Sequence, residues 1–480
     1  MTQDSPLKRK TAKTLKWNTI DKVASQLLYA LVGIVLANIL SQKDFGLVGA
    51  LTVCQAFAIL FVDAGFGTAL LQKKEPTQRD YSTVFWFNLI VCVAVYFLLW
   101  IGAPLIAAIF QNDQRLIPLS RVMFLTFVLN GLAIVQTNVL MKRMDVRRLA
   151  VSNVVGLVVS GVVGIWMALT GWGAWALVWQ YVTLAAIKTG WLWIFGDWRP
   201  SFVFSFKSLK AILPVGGSVF GSQMLNTASL HAYSFIIGAF YSLSSLGVYT
   251  QADKWSKMGS ASISQILTAT FIPLLARVQD SASDWQRYVK RINRFTALML
   301  FPALCGLAVI GAPLFHTLFG TKWDAAIILF QLLCVRGIFV VLISLCNNYL
   351  TAAGRARQLI VVETVKDVAL IVAILATVWF DSLLLLVVGQ LVASVLTFAV
   401  VLVITGRHAG YRASALIRDM APFLLPTAAM TLLCLLLTLI PAAAWVILLA
   451  QIVIGAATYY AVCRLQRIPE LQEGILMIHR

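Results

Sequence analysis

The sequence predicts an all-α polytopic membrane protein of about fourteen transmembrane helices. Three observations lead there. The chain has 480 residues, of which 60% are hydrophobic and only 12% charged, more apolar surface than a water-soluble chain of this length can hide. Its apolar residues fall in runs that are each long enough to cross a bilayer as a helix. Its lysines and arginines gather in every second gap between those runs.

Taken in order, the expected spans are 17–40, 45–70, 82–110, 116–141, 149–170, 172–195, 208–240, 244–275, 288–318, 324–352, 357–379, 383–405, 419–440 and 442–464. The outer turns are short, as at Thr170-Gly171 and Tyr241-Ser242, and the inner loops are longer and basic. With the N-terminus inside, the inner segments together with the span ends that face them hold 27 of the 38 lysines and arginines, the outer gaps hold three (Lys43, Arg115, Lys322), and eight fall deeper within the runs. This bias places both termini in the cytoplasm. The first apolar run lacks a small-residue cleavage site and reads as a retained helix. The expected organisation is a basic N-terminus (1–16), a first lobe of six spans (17–195), a cytoplasmic linker (196–207, with GDWRPSFVFSF at 196–206), a second six-span lobe (208–405), two further spans (419–464) and a cytoplasmic tail (465–480).

The chain also repeats itself. Gly102-Ala103-Pro104-Leu105 with Phe110 recurs as Gly311-Ala312-Pro313-Leu314 with Phe319. Asn138 to Leu149 resembles Asn348 to Leu359, and Gln180 pairs with Gln390. An earlier match joins Gly46 to Gly247. The order of the matches is that of a six-span duplication. An even number of spans makes the copies parallel, related by a pseudo-two-fold axis along the membrane normal, with a substrate path between them.

Several classes of function are excluded. The net charge of +19 belongs to the cytoplasmic loops, which face anionic headgroups, and no soluble basic domain exists to read nucleic acid. The seven cysteines lie in or beside apolar runs without a C-x-x-C pair, which argues against a disulfide framework or a metal site. There is no Walker loop and no H-E-x-x-H, and no outer gap is long enough for a polymerase site. The chain is expected not to be an enzyme and to need no cofactor.

Charges inside the spans carry the functional reading, because each costs at least about 2.5–3.5 kcal/mol and must face protein, water or ligand. The basic set is Lys22, Arg121, Lys188, Lys254, Lys257, Arg294, Arg336 and Lys366; the acidic set is Asp21, Asp63, Asp253, Glu363 and Asp367. The basic excess suits an anionic substrate. Lys22, Lys188, Lys254, Arg336 and Lys366 are the candidate substrate-binding cations, and Asp21, Asp63, Asn226, His231 and Asp253 the polar or coupling candidates. Each has a plainer reading. Lys366 sits one turn from Glu363 and the two can pair. Arg121 and Arg294 lie near span ends and can snorkel. His231 offers a group for coupling transport to protons, yet a hydrogen-bonded structural histidine fits as well. Lys188 and Arg336 have no acidic neighbour in sequence, so each needs a partner from another helix or from a ligand.

The stretch Leu246 to Ala252 (LGVYTQA), then Phe271 to Asp280 (FIPLLARVQD), Gly311-Ala312-Pro313-Leu314 and Leu318 to Trp323 (LFGTKW) resembles the polysaccharide transporter family of the multidrug/oligosaccharidyl-lipid/polysaccharide (MOP) exporter superfamily, in particular its Wzx-type, colanic-acid-exporter-like flippases. Leu40 to Gly46 (LSQKDFG) and Asp63 to Gly67 (DAGFG) are similar to the same family. The resemblance implies a V-shaped fold of two six-helix lobes, and transfer of a polyprenyl-diphosphate-linked oligosaccharide to the periplasmic leaflet of the bacterial inner membrane by alternating access. It further implies coupling to protons or Na+, a monomer, and a polysaccharide polymerase machinery as a further partner. Where such proteins often carry an ionisable pair early in the second lobe, this chain has His231-Ala232-Tyr233. The rival readings are a lipid II flippase, a multidrug cation antiporter of the same fold, which would need an acidic cavity, and a polytopic sugar polymerase.

Overall fold

The structure, a computed structural model, describes residues 6–63, 70, 73, 75–278 and 281–471. Every regular element among them is helical. The chain divides into two compact units, residues 1–247 and 248–480. In the first lie α1 (Pro6–Ile39), α2 (Gln42–Asp63), α3 (Gln78–Ile101), α4 (Ala103–Ile109), α5 (Leu116–Met123), α6 (Leu125–Lys142), α7 (Val146–Leu169), α8 (Ala174–Phe195) and α9 (Phe206–Phe240). α10 (Leu243–Ala276) begins in the first unit and continues into the second. There follow α11 (Ala282–Val309), α12 (Gly311–Phe319), α13 (Asp324–Ala352), α14 (Ala356–Thr377), α15 (Leu383–His408), α16 (Ala413–Met420), α17 (Leu424–Leu437) and α18 (Ala444–Leu465).

Among the described residues, ten helical stretches are long and apolar enough to cross a membrane. Further helices of spanning length accompany them, α8 with 22 residues, α9 with 35, α10 with 34 and α14 with 22. This is a multi-pass membrane protein. Three expected spans prove to be broken. Residues 82–110 divide at Gly102, 116–141 at Phe124 and 288–318 at Ile310. Pro104 and Pro313 mark two of the breaks, because proline has no N–H to give the preceding turn and fits best near a helix start.

The sequence repeat reappears as repeated geometry. After α6, Arg143 N–H donates to Val139 O, Met144 N–H to Met141 O and Asp145 N–H to Leu140 O; after α13, Ala353 donates to Tyr349, Gly354 to Thr351 and Arg355 to Leu350. Each residue stands 210 positions from its counterpart, and both turns use a left-handed residue, Met144 (φ 58°) and Gly354 (φ 68°). The earlier match is a contact within the first unit. A Cβ on Gly46 would overlap the Leu243 carbonyl, and one on Gly247 would overlap the Gln42 carbonyl. Gln42 and Leu243 are 201 apart, as are the two glycines, so the helix starts cross reciprocally, backbone on backbone.

Each unit has its own fastening. In the first, α3 opens on a capping box between Thr77 and Asp80. The 196–205 linker is tied down by buried Trp198, whose indole N–H donates to Gln78 Oε1 at 2.7 Å and whose carbonyl accepts from Gln136. The indole of Trp86 donates to Ser201 O at 3.0 Å. Outside the membrane, Arg115 and Lys43 both engage Asp113, at 2.8 and 3.2 Å, and the Arg115 hydrogen bond holds that carboxyl well below the usual range. In the second unit, a core around Leu300, Leu304, Val341 and Tyr349 extends to Leu416, Phe423 and Cys463, so the C-terminal helices are part of it. A buried polar chain joins them: Tyr349 Oη donates to Asn293 Oδ1 (2.6 Å), and Asn293 Nδ2 and the Tyr411 hydroxyl donate to Asp419.

Candidate functional site

The intramembrane charges form two groups, one in each unit. In the first unit, α1, α7 and α8 pack closely because small residues face their neighbours. A Cβ on Gly161 of α7 would press within 2.6 Å of Val32 of α1, and one on Gly156 would touch Leu184 and Lys188 of α8. That packing brings Asp21, Asn153 and Lys188 together. Asn153 Nδ2 donates to Asp21 Oδ2 at 3.2 Å, and Ser25 Oγ donates to Oδ1 at 3.2 Å. Lys188 lies within the field of Asp21, the acid that its own stretch of sequence lacks, without a direct ion pair among the described residues. Lower on α8, Tyr181 is hydrogen-bonded to Tyr29 of α1. Lys22, next to Asp21, is exposed on α1 and engaged elsewhere.

The second group centres on Arg336. It lies mid-way along the apolar stretch Thr321–Ala352, where a charge is most costly. Its Nε donates to Ser394 Oγ at 3.2 Å, and Ser394 in turn donates to the Gln390 carbonyl. Among the described residues Arg336 has no carboxylate partner. The Gln390 side chain reaches Tyr249 at about the limit of a hydrogen bond, 3.4 Å. One turn beyond Tyr249 on α10, Asp253 pairs with Lys257 at 2.6 Å, while Lys254 lies 5.5 Å from the Trp255 ring. Trp255 itself packs on Phe319 and donates to Gln251.

The remaining candidates are less concentrated. Lys366 pairs with Glu363 on its own helix, and Glu363 accepts from Asn347. Arg294 forms a bidentate pair with Glu470. Arg121 lies 4.1 Å above the Trp100 ring. Asn226 is exposed on α9, and His231 is half-buried there and engaged with a neighbour. Asp63 is the last residue of α2; its side chain lies outside the described residues. Sequence reasoning missed Asn153 and Ser394, both uncharged. The available signal was a polar residue inside an apolar run flanked by small ones, as in Ser152-Asn153 ahead of Gly156.

A family model described as polysaccharide biosynthesis protein matches residues 35–328, more than half of the chain. The chain belongs to that family. Among curated members of this polysaccharide-biosynthesis group, it is 27% identical over 344 residues to the teichuronic acid biosynthesis protein TuaB of Bacillus subtilis, covering 71% of each chain. It is 24% identical over 358 residues to the succinoglycan biosynthesis transport protein ExoT of Rhizobium meliloti, covering 74% of this chain and 72% of that one. With the lipopolysaccharide biosynthesis protein WzxC of Escherichia coli it shares 25% identity over 339 residues, 69% and 68% of the two chains. In fold it is similar to the lipid II flippase MurJ in an inward closed conformation, with TM-score 0.77 and 12% identity over 93% of this chain and 98% of that one. An inward-facing multidrug transporter of the MATE family and MOP superfamily matches at TM-score 0.62 and 17% identity, covering 82% and 96%. The architecture is that of the MOP transporters.

Proposed function

We propose that this family member moves a polyprenyl-diphosphate-linked oligosaccharide repeat unit from the cytoplasmic to the periplasmic leaflet of a bacterial inner membrane. Membership of a polysaccharide-biosynthesis family supports the process, and Arg336 carries the chemistry. A guanidinium in mid-span with only a hydroxyl beside it is a forked donor prepared for an anion, and a diphosphate fits it bidentately. Lys254 beside Trp255 is the second cation of choice, with an aromatic face on which a sugar ring can stack. Lys366, neutralised by Glu363, ranks last.

In this reading the chain crosses fourteen times with both termini inside. The two six-span copies rock about an axis along the membrane normal, and the lipid tail stays in the bilayer. The protein works as a monomer that hands its product to a polymerase machinery. Coupling to protons or Na+ is assigned to Asp21. The Lys188 ammonium supplies part of the positive field that a bound cation would supply, so an ion competes with Lys188 for Asp21. His231 and Asp253 are the secondary coupling candidates.

The test is complementation of a deletion strain. Loss of a surface polymer from viable cells, restored by the wild type, in part by Arg336→Lys and not by Arg336→Ala at equal expression, supports the proposal. Loss of viability favours a lipid II flippase. Normal polymer with altered drug susceptibility favours an antiporter.

A further inference from the structure

We infer that the turn between α6 and α7 forms a second anion site, one that holds the phosphate of an anionic membrane lipid. A cavity of about 590 Å³ opens there, between the start of α1, the turn and the end of α8. Its walls are of two kinds. Arg143, Arg147 and Arg148 supply guanidinium groups, and Trp17, Trp191 and Phe195 supply rings.

The three arginines are not equivalent. Arg148 is locked: it donates to Phe195 O (2.8 Å) and pairs with Asp197 (3.0 Å) and Asp145 (3.1 Å). Arg143 shares Asp197 at 3.3 Å. Arg147 has no ion pair among the described residues and lies 5.5 Å from the Trp17 ring, which orients it and leaves its N–H fork open. Three guanidinium groups against two carboxylates leave one positive charge in a pocket rimmed by interfacial aromatics. Arg147 and Arg148 also sit in the first turn of α7, whose cap residue Asp145 makes no side-chain cap bond, so first-turn N–H groups remain for a ligand. A phosphate on a lipid provides the matching chemistry: anionic oxygens for Arg147 and Arg143, and an apolar body against the rings.

The repeat supplies an internal control. The turn after α13 closes with the same three backbone bonds, yet Ala353 stands for Arg143, Gln358 for Arg148, Val401 for Trp191 and Thr405 for Phe195. Arg147 keeps a basic counterpart, Arg357, and Asp145 is replaced by Arg355, whose Nε donates to His408 O. The turn therefore closes without Arg143, Arg148, Trp191 and Phe195; Arg143 and Arg148 fasten the linker through Asp197, and the open fork of Arg147 is what remains for a ligand.

The experiment is native mass spectrometry of the purified full-length chain, titrated with phosphatidylglycerol, undecaprenyl diphosphate and phosphatidylcholine. The expected result is retention of an anionic phosphate lipid about tenfold over zwitterionic phosphatidylcholine, reduced about tenfold in R147Q and further in R143Q/R147Q, and unchanged in R357Q. Tighter retention of undecaprenyl diphosphate makes this a loading site for substrate; equal or tighter retention of phosphatidylglycerol makes it a site for bulk anionic lipid. The first arm rests on the transport reading above and the second does not, so failure of one is distinguishable from failure of the other. Equal retention of all three lipids, undiminished retention in R143Q/R147Q, or an equal loss in R357Q overturns the inference. R147K, which keeps the charge, guards against a folding defect; it should retain more lipid than R147Q.

Discussion

The buried charges of the two units are handled in opposite ways. In the first, Asn153 and Ser25 hold the Asp21 carboxylate by hydrogen bonds, and Lys188 lies close enough for the opposite charges to offset one another in part, without a direct ion pair among the described residues. In the second, Arg336 carries its full charge into mid-span with only Ser394 for company. Both cost energy in an apolar surrounding, and only the first recovers it without help. The contrast separates roles. A compensated group is suited to respond to small cations, whose arrival shifts a balance already close to neutral. An uncompensated guanidinium is completed by a ligand. Lys366 and Arg294, paired with Glu363 and Glu470, show that the fold readily provides carboxylates where a cation is merely to be housed.

The largest expected effect comes from removing the uncompensated charge. Arg336→Ala should lower export roughly 100-fold, corresponding to about 3 kcal/mol of charge-assisted hydrogen bonding, with thermal stability equal to or above wild type. Equal export, measured as surface polymer per cell, would break the contrast. Next is the partly compensated group. Asp21→Asn or Lys188→Gln alone should destabilise the purified protein by about 1 kcal/mol, because each removes the field that offsets the other charge, whereas the double variant should recover part of that loss. Additive losses in a thermal-shift cycle would mean that the two groups do not compensate each other. Third, Gly247→Leu should lower folded yield on fluorescence-detected size exclusion, since its side chain meets the Gln42 carbonyl; an overpacked site costs about 1–3 kcal/mol. Smallest is Asp113→Asn in the outer loop, worth about 0.2–1 kcal/mol. Because Arg115 lowers the folded-state pKa of Asp113, its contribution is present above the unfolded carboxylate value and is lost as pH falls below about 4. The difference in melting temperature between wild type and variant should shrink over that interval.

The positions of the spans were legible because apolar runs and loop charge obey the bilayer directly. The edges of α7, α8, α13 and α14 fall within a few residues of the runs at 149–170, 172–195, 324–352 and 357–379. The breaks at Gly102 and Ile310 were half legible. Gly-Ala-Pro-Leu stood out as a repeat before its meaning as a helix restart was visible. The pairings were not legible. Asp21 and Asn153 are 132 residues apart, and nothing in either stretch names the other; the contact exists because Gly156 and Gly161 let three helices approach. The solitude of Arg336 lay between these cases. Its own helix plainly lacked an acid beside it, but only the packing of α13 against α15 placed Ser394 there rather than a carboxylate. The arginine-rich turn after α6 read only as loop charge, because a cavity between α1 and α8 leaves no trace in linear spacing.

The most direct test of the account follows the leaflet of the lipid-linked oligosaccharide. In a deletion strain, a reagent that cannot cross the membrane is used to modify the pool from outside. The account predicts a diphosphate-linked repeat unit that accumulates and resists modification, becomes accessible when the wild-type chain is restored, and stays protected with Arg336→Ala. A pool of unchanged size that is equally accessible with and without the chain would contradict the account.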